Sequence, residues 1–144
     1  MLDYGCGCGG LSLGLGAGFA VTLCDLRNVR AWPFIAHLAH RRNSAEAPTE
    51  VCEPEALGER RFDAIACLEV LEHVPDPLAL ALRLLAMLRP GGLFFGSWSF
   101  EPSDRREHLP SEWDRFTFRD RLRQIPGVEW IEPCPYWAWV FRKR

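Results

Sequence analysis

With 144 residues, of which 48% are hydrophobic, the chain is long enough to bury one sizeable core but offers no length for a second domain. Its formal net charge of −2 argues against nucleic acid as a partner, because nucleic-acid binders carry a basic face, and favours a small neutral or anionic substrate. No apolar run approaches the roughly 20 residues that cross a bilayer. We therefore expect a single cytoplasmic domain over residues 1–144 with no membrane span.

Predicted strands and helices alternate along the chain, which favours an α/β fold with a parallel sheet. The predicted strands cover residues 2–4, 19–24, 49–52, 62–68, 93–98, 128–131 and 137–141, and the predicted helices cover residues 11–15, 29–42, 78–88 and 116–125. A short turn containing Pro133 and Pro135 separates the last two strands, which predicts a C-terminal antiparallel hairpin.

Six cysteines are spread over the chain, and none has the CxxC spacing of zinc ribbons or redox sites. We therefore expect free thiols. Cys24 and Cys67 fall in predicted strands, where cysteine behaves as a small buried hydrophobic residue. Cys6 and Cys8 fall in a glycine-rich loop, where small side chains allow close packing.

That loop follows the first predicted strand and contains glycine at positions 5, 7, 9 and 10. Glycine accepts positive φ and lets backbone N–H groups approach a ligand, and the next helix directs its positive dipole end to the same place. An ordinary strand-to-helix turn has a similar composition. The GxGxxG pattern through Gly5, Gly7 and Gly10, followed by Asp25, also fits a dinucleotide-binding domain. The loop therefore predicts a nucleotide-like ligand without separating NAD from other nucleosides.

Four motifs in order carry a more specific resemblance: DYGCGCG from Asp3 to Gly9, VTLCD ending at Asp25, FDAIACLEVLEHV, and LRPGG. This pattern resembles class I S-adenosylmethionine-dependent methyltransferases, and among them the ubiquinone-biosynthesis-type small-molecule O-methyltransferases. The resemblance implies a Rossmann-like, mostly parallel sheet flanked by helices. It also implies transfer of a methyl group from S-adenosylmethionine to a small hydroxylated acceptor. The alternatives are a non-catalytic methyltransferase-like interaction domain and an NAD-dependent oxidoreductase.

The chemistry of the cofactor suggests a role for several residues. Gly5 and Gly7 let the backbone approach the amino-acid part, and Asp25 at a strand end is placed to accept both ribose hydroxyls. Leu26 can cover the adenine. The resemblance implies three further cofactor-binding residues: Asp3 as an organiser of the loop, Glu53 as an adenine-side acid and Leu68 as a backbone contact near the sulfonium. Asp25 could instead be a helix N-terminal acid, and Glu53 an exposed loop acid.

Two departures from the family pattern bear on this site. Pro54 stands where related enzymes often give a backbone N–H to the adenine ring, and proline has no N–H. The chain also starts inside its first strand, so the fold is expected to be N-terminally short. We interpret this as a truncated reading frame, a missing upstream domain or a weakly active remnant.

The reacting end is predicted at the exit of the fourth strand. Glu69, Glu72 and His73 have the spacing i, i+3 and i+4, so one helical turn would bring them to one face. The resemblance implies a divalent metal such as Mg²⁺ there, which would lower the pKa of an acceptor hydroxyl. His73 as a base or as a structural hydrogen-bond partner is the alternative. His108 is the best remaining candidate for a ligand or base.

Four aromatic residues bracket the loop after the fifth strand: Trp98, Phe100, Trp113 and Phe116. They are predicted either to form a lid over a planar acceptor or to pack against the sheet edge.

Overall fold

The computed structural model describes residues 1–15, 18–101, 108–131 and 138–144. Two compact units make up the chain, Met1–Arg60 and Arg61–Arg144. Both alternate strands with helices, and among the described strand pairs within each unit, the two that involve the last strand are antiparallel and the others are parallel. The predicted Rossmann-like α/β class is confirmed, whereas the single domain stays a prediction.

The first unit contains β1 (Leu2–Tyr4), α1 (Gly10–Leu13), β2 (Val21–Cys24), α2 (Trp32–Arg42), β3 (Thr49–Cys52) and a 3-10 turn at Pro54–Leu57. Its three strands are parallel and lie in the order β3-β2-β1. All four residues of β2 are buried, as expected for a strand whose two faces are covered. α2 contributes Ile35 and Ala39, one helical turn apart, to a core that includes Val21 and Leu23.

The second unit contains β4 (Phe62–Leu68), a 3-10 turn at Leu71–His73, α3 (Pro77–Ala86), β5 (Leu88–Ser97), α4 (Arg115–Arg123), β6 (Val128–Ile131) and β7 (Trp139–Lys143). Its strand order is β4-β5-β7-β6, with β4 and β5 parallel and β7 antiparallel to both of its neighbours. The predicted C-terminal antiparallel hairpin is therefore confirmed. Pro133, Pro135 and Trp137 of its predicted turn and strand lie outside the described residues.

The predicted boundary between α3 and β5 is wrong. α3 ends at Ala86, and β5 begins at Leu88 instead of residue 93, so the LRPGG motif opens the strand. The pairing register shifts here: Phe62 faces Leu88, but Ala64 faces Leu93. Gly92 has to be glycine in this irregular segment, because a Cβ atom would lie 2.9 Å from the carbonyl oxygen of Arg89. The glycines of this segment therefore allow an irregular, bulged start of the strand.

Other predicted boundaries differ by a few residues because short turns lie next to the helices. α2 begins at Trp32 instead of residue 29, since hydrogen-bonded turns occupy the preceding residues. α4 begins at Arg115, where the Asp114 side chain accepts the backbone N–H groups of Phe116 and Thr117. α2, the longest described helix, has 11 residues, and none of the described helices has the length and apolar character of a membrane span.

Candidate cofactor and acceptor sites

The glycine loop of the first unit is fixed to the end of β2. Gly5 and Cys6 donate their backbone N–H groups to the carbonyl oxygen of Cys24, at 2.8 and 3.1 Å. Gly5 and Gly7 have φ angles of 70° and 53°, which side-chain-bearing residues rarely adopt. A Cβ atom built at Gly7 or Gly10 meets nothing within 4 Å. The loop therefore has a fixed backbone with open space beside it, as a close-approaching ligand requires.

Asp25 joins the end of β2 to this loop. Its Oδ2 atom accepts the N–H of Gly7 at 2.7 Å, and its Oδ1 atom accepts the N–H of Leu26 at 2.8 Å. A carboxylate has about four acceptor positions, so both oxygens can accept further hydrogen bonds. The adjacent Leu26 side chain is 53% exposed, which is unusual for leucine. The structure brings Gly5, Gly7, Asp25 and Leu26 together, and their role in cofactor binding stays a prediction.

Asp3 links β1 to α1 beneath the loop. Its side chain is buried, and its Oδ2 atom accepts the Ser12 hydroxyl at 2.6 Å. Burial raises the pKa of Asp3, and the hydrogen bond from Ser12 acts in the opposite direction. The sequence analysis missed Ser12. The signal for it was a polar residue in an otherwise apolar helix start, GLSL.

Glu53 follows β3, where the chain enters the 3-10 turn at Pro54–Leu57. It is half-buried and makes no side-chain hydrogen bond to cap that turn. The strand end beside it is fixed, since the carbonyl oxygen of Cys52 accepts the backbone N–H of Asp25 at 3.2 Å.

The exit of β4 in the second unit differs from its predicted form. Leu68 ends the strand, and Glu69 then adopts a left-handed φ of 53° while its N–H contacts the carbonyl and hydroxyl oxygens of Ser97, both at 3.1 Å. Only Leu71–His73 forms a helical turn, and it is a 3-10 turn. The predicted single helical turn that aligns Glu69 with Glu72 and His73 is therefore wrong.

A different trio comes together instead. Each of Glu72, His73 and His108 offers a ligand atom, and these atoms lie within 4.8 Å of one another. The two imidazole rings have centroids 5.1 Å apart and planes at 72°. The Nδ1 atom of His108 lies 2.6 Å from the carbonyl oxygen of Glu101. Since a carbonyl oxygen can only accept, Nδ1 carries the proton of that hydrogen bond, which leaves Nε2 as the ring atom that can ligate a metal.

Glu72 has an unusual environment for a carboxylate. Its side chain is only 1% exposed. Oε1 accepts the N–H of Ser99 at 3.0 Å, whereas Oε2 is buried without a hydrogen-bond partner. Burial raises the pKa of Glu72, and the hydrogen bond from Ser99 and the nearby His73 act in the opposite direction. A buried, unpaired carboxylate oxygen beside two imidazoles fits a bound cation or a donated proton.

A cavity of about 520 Å³ adjoins Glu72. Its lining consists of Leu71, Glu72, Val74, Pro75, Asp76, Pro77, Leu78, Phe100, Leu109, Pro110, Ser111, Glu112 and Trp113. Three of these residues are acidic, and none of the described lining residues is Lys or Arg. The volume is in the range typical of small-molecule sites.

The four aromatic residues near this cavity divide between the two predicted roles. Trp98 is 2% exposed, packs edge-on against Phe118 and donates its indole N–H to a backbone carbonyl, so it belongs to the core. Phe100 and Trp113 also contact Phe118, but they line the cavity. Phe116 is 56% exposed.

Comparison with known proteins decides the family. Residues 1–139 match a family described as methyltransferase domain. The chain belongs to this methyltransferase domain family. The predicted resemblance is therefore confirmed, and with it the class of cofactor-binding fold.

Curated relatives of this methyltransferase-domain chain are named ubiquinone biosynthesis O-methyltransferase. The one from Xanthomonas campestris is 38% identical over 99 residues, which are 66% of this chain and 41% of the relative. The one from Pseudomonas putida is 38% identical over 101 residues, covering 67% of this chain and 43% of the relative. The chain thus spans about two fifths of the length of these relatives.

Two solved methyltransferase structures share its fold. The N-methyltransferase NodS from Bradyrhizobium japonicum, in complex with S-adenosyl-L-homocysteine, has a TM-score of 0.68 at 20% identity over 99% of this chain and 76% of that chain. The magnesium protoporphyrin IX methyltransferase from Synechocystis, with bound S-adenosylmethionine, has a TM-score of 0.66 at 21% identity over 98% of this chain and 67% of that chain.

Proposed function

We propose that the protein is an S-adenosylmethionine-dependent methyltransferase that moves a methyl group to the hydroxyl group of a small acceptor. The observation that carries this proposal is the glycine loop of a methyltransferase-domain chain, fixed to Cys24 and Asp25 and with open space beside Gly7 and Gly10. Such a loop presents a fixed backbone and open space to a ligand without reorganisation on binding.

The residues around the loop fit the parts of the cofactor. Asp25 retains acceptor positions for the ribose hydroxyls after its bonds to Gly7 and Leu26. The exposed Leu26 side chain supplies an apolar surface for the adenine, and half-buried Glu53 is the candidate adenine-side acid. Leu68 at the end of β4 keeps its proposed role near the sulfonium. The bound cofactor supplies an electrophilic methyl group, and the protein orients the reactants.

The acceptor is proposed to bind in the cavity beside Glu72. Phe100 and Trp113 offer aromatic surface to a planar ring, while Glu72, Asp76 and Glu112 give the lining a negative charge. Because carboxylates repel an anion, this lining favours a neutral hydroxylated acceptor over the anionic one that the overall charge also allowed. A curated relative's name, ubiquinone biosynthesis O-methyltransferase, supports a hydroxyl as the methylated group.

His73 and His108 are proposed to act on that hydroxyl. In one arrangement either imidazole accepts its proton as a base. In the other, Glu72, His73 and His108 hold a divalent ion, which would lower the pKa of the hydroxyl group. The buried, unpaired Oε2 atom of Glu72 supports the second arrangement. With two imidazoles and one carboxylate, the ligand set favours Mn²⁺ or Zn²⁺ over Mg²⁺.

Calorimetry followed by an activity assay tests the proposal. Titration with S-adenosylhomocysteine should give saturable binding, and titration with NAD should give none. Methyl transfer is then measured with a panel of catechols, first in chelator and then with Mn²⁺, Zn²⁺ or Mg²⁺ restored. Full activity in chelator would leave the imidazoles as bases. Binding without transfer under any condition would favour the non-catalytic alternative, and NAD binding would favour the oxidoreductase. The expected cytoplasmic location, the single domain and the absence of nucleic acid as a partner stay predictions.

A further inference from the structure

Two thiols face each other at the strand ends that hold the glycine loop. Cys24 ends β2 and Cys52 ends β3, and the two residues are partners in the parallel register. The two thiols interact, which raises the pKa of Cys24 and lowers that of Cys52, as a hydrogen bond from Cys24 to Cys52 does. Neighbouring strands lie about 4.7–4.9 Å apart. Disulfides span Cα separations of about 4.4–6.8 Å, so the pair can be bridged with a small movement.

The two thiols differ in access and in ionisation. Cys24 is fully buried, whereas Cys52 is only half-buried and can be reached by a small oxidant. The hydrogen bond from Cys24 lowers the pKa of Cys52, and the Arg60 charge acts in the same direction against burial and Glu50. The same hydrogen bond raises the pKa of Cys24. Cys52 is therefore the more nucleophilic thiol at neutral pH.

The backbone of this pair anchors the candidate cofactor site. The Cys24 carbonyl oxygen accepts the N–H groups of Gly5 and Cys6, and the Cys52 carbonyl oxygen accepts the N–H of Asp25. A disulfide has an S–S length of about 2.05 Å, shorter than any S–H···S contact. Forming one would pull the two strand ends together and displace the carbonyl groups that fix the loop and Asp25.

We propose that Cys24 and Cys52 form a disulfide on exposure to hydrogen peroxide and that this bond weakens cofactor binding at the glycine loop. The Cys52 thiolate attacks one peroxide oxygen, the O–O bond breaks, and the departing hydroxide takes a proton to form water. The Cys24 sulfur then attacks the resulting sulfenic acid, the S–O bond breaks, and hydroxide leaves with the Cys24 proton as a second water. Two thiols are oxidised, and one peroxide is reduced to two waters.

The disulfide is tested by mass spectrometry of the reduced protein before and after peroxide. The expected result is loss of the mass of two hydrogen atoms and a cross-linked peptide pair containing Cys24 and Cys52. Cys52→Ser should abolish the cross-link, and Cys24→Ser should accumulate a sulfenic acid at Cys52 that dimedone traps. Cys67→Ala, which removes a buried strand thiol elsewhere, should still form the cross-link. A cross-link between any other pair, or Cys52 oxidation without a cross-link in the wild-type protein, overturns the proposal.

The effect on binding rests on the proposed function and is measured separately. Oxidised protein should bind S-adenosylhomocysteine about tenfold more weakly than reduced protein, the scale of losing one hydrogen bond to an ionised group. Dithiothreitol should restore the affinity, and Cys52→Ser should be insensitive to peroxide. Equal affinity of the cross-linked and reduced forms overturns the coupling. Absence of binding by the reduced protein contradicts the proposed function instead, and the cross-link is still decided by mass.

Discussion

The glycine loop of the first unit and the exit of β4 in the second unit differ in whether their polar groups find hydrogen-bond partners within the chain. Around the loop, hydrogen bonds within the chain fix the backbone of Gly5, Gly7 and the Asp25 carboxylate. At the exit of β4, Glu72 is buried with one oxygen lacking a partner, and Glu69 is held at positive φ. The first region is complete without a ligand, whereas the second leaves a polar group unsatisfied. Backbone shape thus defines the candidate cofactor site, whereas side-chain chemistry defines the candidate acceptor site.

Substitution of the loop glycines should impair the candidate cofactor site more than any other change. Gly7→Ala forces a side chain into a φ of 53° and should lower the free energy of unfolding by about 1–2 kcal/mol. Gly10→Ala is the matched control, because its Cβ also enters open space but no positive φ is required there. Both variants should lose S-adenosylhomocysteine binding in calorimetry, and only Gly7→Ala should be less stable to urea. Normal binding by both variants would show that the open space beside Gly7 and Gly10 is not part of the cofactor site.

The candidate metal site is tested by comparing two carboxylates three residues apart, Glu69 and Glu72. With Mn²⁺ at 100 times its dissociation constant, the wild-type protein should gain about 2.7 kcal/mol of stability. Glu72→Gln should lose this gain, because a buried ligand oxygen is removed. Glu69→Gln should retain it, since Glu69 lies outside the trio. Thermal unfolding with Mn²⁺ and with chelator measures both. Loss of the gain in Glu69→Gln as well as in Glu72→Gln would restore the ligand set predicted from the sequence.

Substitution of Asp25 tests how strongly cofactor binding at the loop depends on one side chain. Asp25→Ala removes the acceptors of the Gly7 and Leu26 N–H groups, and cofactor affinity should fall by about 1–3 kcal/mol. Asp63→Ala is the control, since it removes an exposed carboxylate paired with exposed Arg89. Calorimetry with S-adenosylhomocysteine compares the two variants. Unchanged affinity in Asp25→Ala removes Asp25 from the ribose role.

A pH-dependent effect is expected under the loop, where the Ser12 hydroxyl donates a hydrogen bond to Asp3. Because burial raises the pKa of Asp3 above 3.8, native-state stability is lost as pH rises through the raised value and the buried group ionises. Ser12→Ala should enlarge this loss to about 1–2 kcal/mol at neutral pH and have less effect near pH 4, where more Asp3 is protonated. Ser44→Ala removes a hydroxyl that bonds a backbone N–H, and its effect should not depend on pH. Urea unfolding at the two pH values gives the difference. A pH-independent effect of Ser12→Ala would contradict the Asp3 assignment.

Local patterns were enough to predict the strands and the loop. The buried run of β4 and the glycines after β1 act through neighbouring residues, so sequence alone placed them and Asp25 correctly. The same reasoning placed the start of β5 at residue 93 instead of Leu88, because the pairing of the residues in between depends on a register shift against β4. Proline and glycine at a helix end and at a bulge look alike in sequence.

The candidate ligand trio of Glu72, His73 and His108 could not be predicted from sequence spacing. His108 is distant in sequence from Glu72 and His73. The backbone N–H of Leu109 donates a hydrogen bond to the carbonyl oxygen of Glu72, which brings His108 close to them. Glu69 lies outside this trio and has a positive φ, which its residue type does not predict. The facing thiols of Cys24 and Cys52 likewise depend on strand register.

The left-handed backbone of Glu69 has a consequence for directed evolution of this chain. A non-glycine residue in that conformation costs about 1–3 kcal/mol, which the surrounding structure must offset. A library screened only for heat resistance would therefore enrich glycine or asparagine at position 69, since both tolerate the conformation. Selection for turnover would act on the same position through the charge beside Glu72. Residue 69 is thus where gains in robustness and gains in catalysis are expected to separate during selection.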